Sequence, residues 1–153
     1  MDAWTRLLDF WDRDWKGQSF DGRNLKDELL AHPARLAASD RTVEQYTVWG
    51  VALHVHKFKE LLLASLENRE PSWPEGDEDF PPVPADGLTE PKWLETIGLM
   101  DETHEALVDK ARTLDEAFLE TTFTPWEISW GEVFTWASGH DGYHVAQIRN
   151  MKR

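Results

Sequence analysis

Two histidines near the end of the chain, His140 and His144, lie one helical turn apart in the stretch SGHDGYHVAQI. On a helix, side chains at this spacing have Cβ atoms ~5–6 Å apart, so two imidazoles can converge on one ion. Two residues supply only half of a tetrahedral coordination sphere, and a pair of hydrogen-bonded core histidines explains the same spacing. The pair alone therefore indicates either half of a metal site or two packed core histidines.

A third histidine favours the metal site. His54 shares a helical face with Gly50, Phe58 and Leu61, and this face is expected to point inward. His56 lies ~200° around the helix from His54, so the two cannot bind the same ion. Three buried imidazoles without partners are costly for a small domain, because each ring has two nitrogens to satisfy. A shared metal ion removes that cost.

Other polar residues can support such a site. Asp141 and Gln147 are candidates for fixing imidazole tautomers or holding a water, although Asp141 is equally consistent with a solvated charge. His104 falls on the inward face of another helix, where it is a fourth ligand, a base near the open side, or a core histidine bonded to backbone. The interpretation as a core histidine bonded to backbone is favoured. These three residues are the catalytic candidates, whereas Tyr143 lies off the inward face and is interpreted as packing.

The chain contains nine tryptophans, which at helical spacing are core or dimer-interface residues before they are a substrate cage. Because a small domain has limited interior volume, part of the stripe formed by Trp4, Trp11 and Trp15 is expected to need a partner chain. Tryptophans close in sequence to the candidate ligands are the ones expected to line a pocket: Trp49, Trp130 and Trp136.

The elements that position these residues are predicted to be helices, with no alternating strand pattern. A first helix ends near Gly17, and residues 18–40 form a connection with one or two short helical turns. A long second helix runs from about Val43 to Glu67. Six of the eight prolines follow between Pro71 and Pro91, which predicts an irregular crossover loop at about residues 68–90.

Two further helices are predicted from periodicity and capping. The third follows Thr89 and has an inward face spaced alternately by four and three residues: Trp93, Ile97, Met100, His104, Leu107, Ala111 and Leu114. Capping boxes at Thr124 or Ser129 mark the start of the fourth, and the later start is favoured. Its inward face reads Trp130, Val133, Ala137, His140, His144, Gln147 and Met151. The predicted fold is all-α: an antiparallel four-helix bundle in a single domain, residues 1–153.

Composition excludes several functions. A net charge of −13 argues against binding to nucleic acid or to an anionic membrane. The mixed charges of the first residues do not match a secretory signal, and no segment approaches the ~20 apolar residues of a membrane span. Without cysteine, the chain has no disulfide, a metal site must use His, Asp or Glu, and thiol chemistry requires an external thiol. A cytoplasmic location is the simplest setting.

The stretches TVWGVALH (residues 47–54) and HDGYHVAQI (residues 140–148) resemble the DinB/YfiT-like metalloenzyme superfamily. The order and spacing of the histidines match that family's three-histidine site. The resemblance implies that His54, His140 and His144 are metal ligands, that the fold is an antiparallel four-helix bundle, and that the protein forms a homodimer. Some relatives use thiol cofactors, so a low-molecular-weight thiol is an implied cofactor.

Three imidazoles leave a divalent ion one open position, as in catalytic zinc sites, where the pKa of bound water falls toward ~7. Zinc suits nitrogen ligands best, and nickel or iron are alternatives. The leading hypothesis is a metal-dependent hydrolase or thiol-dependent transferase. The alternatives are a non-catalytic, metal-binding stress or interaction protein, and a helical dimerisation module with core histidines. An open coordination position favours the enzyme.

Overall fold

The computed structural model describes residues 2–18, 22–71, 79–80, 83 and 87–151. These residues form seven helices and one short hairpin. The helices are Ala3–Lys16 (α1), Leu25–Leu30 (α2), Ala34–Ser39 (α3), Val48–Leu66 (α4), Glu90–Ala111 (α5), Glu116–Leu119 (α6) and Trp130–Arg149 (α7). The strands Thr122–Phe123 (β1) and Ile128–Ser129 (β2) pair antiparallel, with Thr122 opposite Ser129. The chain is mainly helical, in agreement with the predicted all-α class.

Helix ends follow the capping residues. The Ser129 hydroxyl accepts from Glu132 N, and the Glu132 carboxylate accepts from Ser129 N, so α7 begins at the later of the two predicted starts. The alternative start at Thr124 lies in the turn between β1 and β2, where Glu127 has φ 55°. Pro91 lies in the first turn of α5, as predicted, where its missing N–H costs nothing.

The predicted start of the second long helix, at about Val43, is wrong. Helix α4 begins at Val48, and the Thr47 hydroxyl caps it by accepting from Gly50 N at 2.9 Å. Gln45 has φ 75°, in the left-handed region, so a helix cannot continue through it. The sequence has no alternating strand pattern, and β1 and β2, of two residues each, are too short to give one.

Most of the predicted crossover loop, residues 68–90, lies outside the described residues. Its described positions before α5 are 68–71, 79–80, 83 and 87–89, and these contain no helix or strand. Phe80 and Val83 of this segment pack against the core. The segment therefore contributes side chains to the region around α4.

Two hydrophobic clusters fill the interior, and a layer of polar side chains lies between them. Along α1, α5 and α7, the first cluster includes Trp15, Met100 and Val145, and the second includes Trp11, Leu107 and Ala137. Between these positions the helices place polar side chains, and α4 adds a buried lysine: Asp12, Lys59, His104 and Asp141. The candidate ligands His140 and His144 occupy the same stretch of α7.

The first-helix tryptophans are covered within the chain itself. Trp11 and Trp15 are 1% and 0% exposed. Trp4 packs its ring edge against Phe134 and donates from Nε1 to Ala111 O at 3.1 Å. Trp11 and Trp15 therefore need no partner chain to cover them, whereas Trp4 is partly buried. In the described residues, no helix is both long enough and apolar enough to cross a membrane.

Candidate metal centre

Helices α4 and α7 bring three histidines together. His140 Nε2 lies 3.1 Å from His54 Nε2 and 3.0 Å from His144 Nε2. One nitrogen from each residue lies within 4.8 Å of the others, so the three can hold a metal ion. His140 and His144 are buried and His54 is partly buried. The predicted convergence of these side chains is present in the structure.

Hydrogen bonds fix the tautomers of two of these rings. His54 Nδ1 faces the backbone oxygen of Asp79, which can only accept, so the proton is on Nδ1 and Nε2 presents a lone pair. His144 Nδ1 lies 2.8 Å from Gln147 Oε1. The Gln147 amide is oriented by its Nε2, which donates to Glu44 Oε2 at 3.0 Å. His144 Nε2 therefore also presents a lone pair.

This arrangement fits a metal ion better than a set of hydrogen-bonded histidines. His140 Nε2 faces both lone pairs and has at most one proton to donate, so at least one pair of nitrogens faces without a hydrogen between them. A divalent ion accepts all three lone pairs at once. Tetrahedral zinc with Zn–N distances near 2.05 Å separates its nitrogen ligands by about 3.3 Å, close to the separations found here.

The electrostatic environment keeps these rings neutral. Burial lowers the pKa of His140 to about 2, with a further contribution from the neighbouring imidazoles. Burial also lowers the pKa of His144 to about 4, although its hydrogen bond to Gln147 opposes the shift. The pKa of His54 is lowered by burial as well. At neutral pH the nitrogens are therefore available as ligands without competition from protons.

A cavity of about 710 Å³ opens beside the three histidines. Trp136, one of the predicted pocket residues, lies on its wall. Trp49 does not, because it is five residues from His54, ~140° around the helix, and packs in the core with its ring centroid 5.1 Å from that of Trp93. Trp130 does not, because it lies about 15 Å along α7 from His140, within the second hydrophobic cluster. These two pocket predictions are corrected.

Tyr143, interpreted from the sequence as packing, lines the cavity instead. Its side chain is 57% exposed, and its ring meets the His144 ring edge-on, with centroids 5.1 Å apart. Because it precedes His144 by one residue, it points ~100° away from the core and toward the open side. Sequence reasoning missed it because helical periodicity identifies the inward face and does not show which outer positions border a cavity.

Asp141 is not a solvated charge. It is fully buried and accepts from Lys59 Nζ at 2.7 Å and from Trp11 Nε1 at 3.2 Å. It does not belong to the group of residues that can hold a metal. Its contacts connect α1 and α4 to the part of α7 that carries His140.

His104 does not join the metal centre either. Its Nδ1 lies 3.0 Å from Lys59 Nζ, and its Nε2 lies 3.2 Å from Asp12 Oδ1. The favoured interpretation, a core histidine bonded to backbone, is right about burial and wrong about the partners, which are side chains. His104 does not act as a fourth ligand, because its Nδ1 faces Lys59 and its Nε2 faces Asp12.

Lys59 was missed by sequence reasoning, although a signal exists. It follows Val55 by four residues and precedes Leu62 by three, the spacing of an inward position on a helix. Burial lowers the pKa of its ammonium group, and the carboxylate of Asp141 opposes the shift. A lysine at a core position of a helix indicates a buried acidic partner.

A family model described as the DinB superfamily matches residues 18–148. The chain belongs to the DinB superfamily. The matched range includes all three histidines of the metal centre, as well as Asp141 and Gln147. No curated protein and no solved structure matches the chain. The arrangement of α4 and α7 around the cavity is therefore the basis for any inference about the activity of this DinB superfamily member.

Proposed function

We propose that the protein is a metal-dependent enzyme that binds one divalent ion through His54, His140 and His144. The observation that supports it is the convergence of three Nε2 atoms next to an open cavity. The described residues offer three nitrogen ligands and no fourth side chain in the same group. Such a donor set leaves a coordination position for a substrate.

The proposed architecture is an antiparallel four-helix bundle made by α1, α4, α5 and α7. Helix α4 packs most extensively against α5, and α1 packs against α7. A bundle of this kind holds a metal between facing helices, here α4 and α7. The long crossover between α4 and α5 completes the proposed topology.

Zinc is the metal we propose, and when bound it would supply a Lewis acid for a hydrolytic or thiol-dependent transfer reaction. The chain's own residues prepare the site. Asp79 O and Gln147 Oε1 hold the Nδ1 protons of His54 and His144, so that both Nε2 lone pairs face the centre. Gln147 also lines the cavity, and we assign it to orienting the substrate.

We assign Asp141 and His104 to support rather than to contact with substrate. Neither lines the cavity among the described residues, and both bind Lys59 in the polar layer. Their effect on the reaction is through the position of α7.

A non-catalytic metal-binding role is the second candidate. Helices α4 and α7 contact each other much less than α4 contacts α5. An ion bound by His54 on α4 and by His140 and His144 on α7 would add a strong cross-link between two loosely packed helices. In that case the ion stabilises the fold and the cavity has no catalytic use.

Metal analysis of purified, tag-free protein tests the proposal. We expect one divalent ion per chain, and its loss in His54→Ala and in His140→Ala. His56→Ala is the matched control, because His56 lies on the same helix and its Nε2 pairs with Thr103 Oγ1 at 3.1 Å. Retention of the metal by both ligand variants would show that the assignment is wrong.

A cobalt-substituted protein separates the two candidate functions. Acetohydroxamate should bind at an open coordination position and change the visible spectrum. An unchanged spectrum with every small chelating ligand, together with a fourth protein ligand on the ion, would favour the stabilising role.

A further inference from the structure

Aromatic rings surround the proposed metal ligands. On the α4 side, Phe80 stacks on His54 with ring centroids 4.2 Å apart, and Tyr46 stacks on the other face of Phe80 at 3.6 Å. Tyr46 is 38% exposed, so the outer part of this stack faces solvent. The rings of His54, Phe80 and Tyr46 therefore form one aromatic wall of the cavity.

The α7 side of the cavity is aromatic as well. The Trp136 ring lies 4.3 Å from the His140 ring, and Tyr143 lies against His144. Trp136 is 47% exposed although it is the largest side chain on this wall. Trp126, in the turn between β1 and β2, meets Trp136 edge-on at 5.5 Å and supports it from outside the cavity. Each histidine of the centre thus has an aromatic neighbour at the cavity.

Apart from a bound metal ion, the described lining of this cavity is acidic. Among its described lining residues, histidines aside, Glu44 is the one charged side chain, and none is Lys or Arg. The hydrogen bond from Gln147 is the main cause that lowers the pKa of Glu44, so it remains a carboxylate at neutral pH.

We propose that this cavity takes an organic cation, a substrate with an ammonium group on an apolar or aromatic body. Aromatic faces attract cations as well as apolar groups, and the Glu44 carboxylate selects the positive sign. A carboxylate or phosphate ester would meet no cationic side chain among the described lining residues. This inference rests on the proposed function, because it names the substrate class of the same site.

The position of Glu44 defines how such a substrate lies. Glu44 is two hydrogen bonds away from His144, through Gln147. The ammonium group therefore lies at the mouth, near Glu44 and Tyr46, and the reacting end lies at the three histidines. This separation keeps the positive group of the substrate away from a bound divalent ion.

Calorimetric titration of the full chain at low ionic strength, zinc-loaded and chelator-treated, tests the inference. The probes are benzyltrimethylammonium, the neutral benzyl alcohol and the anionic phenylacetate. In the chelator-treated protein, where phenylacetate has no zinc to bind, we expect the cation to bind at least tenfold more tightly than phenylacetate. Glu44→Gln, which keeps an acceptor for Gln147, should weaken cation binding about fivefold and leave benzyl alcohol unchanged.

Two further variants complete the design. Trp136→Leu should weaken both the cation and benzyl alcohol, because it removes an aromatic face. Glu95→Gln removes an exposed carboxylate on α5 that pairs with Lys92, and should change nothing. In the chelator-treated protein, equal or tighter binding of phenylacetate, no binding of the cation, or no effect of Glu44→Gln would overturn the inference. Cation selectivity in a chain that binds no metal would overturn the proposed function alone.

Discussion

Lys59 Nζ and Asp141 Oδ2 lie 2.7 Å apart, and their side chains are 1% and 0% exposed. Lys59 is five residues after His54 on α4, and Asp141 directly follows His140 on α7. The ion pair therefore connects the two helices that carry the proposed ligands. Lys59 also contacts His104, and Trp11 donates to the same Asp141 oxygen, Oδ2. Asp141 Oδ1 has no hydrogen-bond partner among the described residues. A buried pair with such partners fixes the position of one helix against another.

Lys59→Met should destabilise the protein by about 3–5 kcal/mol, because it leaves the Asp141 carboxylate buried without its cation. Zinc affinity should also fall, since α7 is then held less firmly against α4. Urea unfolding and a competitive zinc titration measure the two effects. The double variant Lys59→Met, Asp141→Leu should recover part of the stability, and a double variant as unstable as Lys59→Met would contradict this account.

Gln147→Leu should lower zinc affinity about 10- to 100-fold, because the His144 tautomer loses its acceptor. Glu44→Gln serves as the matched control, since it preserves an acceptor for the Gln147 amide and should affect zinc binding much less. Competition against a chromophoric chelator gives both constants. Equal affinity in wild type and Gln147→Leu would mean that the hydrogen bond does not orient the ligand.

The metal-free protein should lose stability as the pH falls from about 6.5 toward 4, partly because of His104. Burial, with a further contribution from Lys59, lowers the pKa of His104 to about 4, below the ~6.5 of an unfolded chain. Between these values the unfolded chain binds a proton that the folded chain excludes, so the free energy of unfolding decreases with decreasing pH. His104 should contribute about 2 kcal/mol of the loss between pH 7 and pH 5.

Urea unfolding of wild type and His104→Gln at both pH values isolates this contribution. The variant should be less stable at pH 7 and should have the smaller loss on acidification. An identical pH dependence in the two proteins would show that His104 is not kept neutral by the fold.

The protein should form a homodimer. The argument rests on exposed aliphatic side chains and not on the tryptophans of α1. Large apolar side chains remain exposed on the described surface, among them Leu30, Leu94 and Leu99, and a second copy would cover such residues. Light scattering should give twice the chain mass of 17.7 kDa. The single-chain mass at micromolar concentration would count decisively against dimerisation.

The long helices and the inward position of each histidine on its helix were predictable because they follow from local patterns. Helices α5 and α7 have inward residues at steps of three and four, and Ser129 and Glu132 form a recognisable cap. The start of α4 was not predictable in this way, because residues 43–47 contain no Gly or Pro to break a helix. The left-handed backbone of Gln45 and the cap at Thr47 set the start.

The surroundings of the site depend on contacts between distant parts of the chain. Lys59 pairs with a residue 82 positions later, and periodicity identifies no partner for it. Phe80 reaches His54 from an irregular segment, where side-chain direction has no period at all. The aromatic wall and the polar layer were therefore visible only in the structure.

The partner of His54 Nδ1 is the main-chain oxygen of Asp79, not a side chain. Every amino acid supplies that oxygen, so substitution at position 79 leaves the acceptor in place. The orientation of the His54 ring depends on the number of residues between α4 and this carbonyl. An insertion or deletion there would rotate the imidazole even if every side chain at the centre were kept. Among homologous chains, we expect this segment to tolerate changes of composition far better than changes of length.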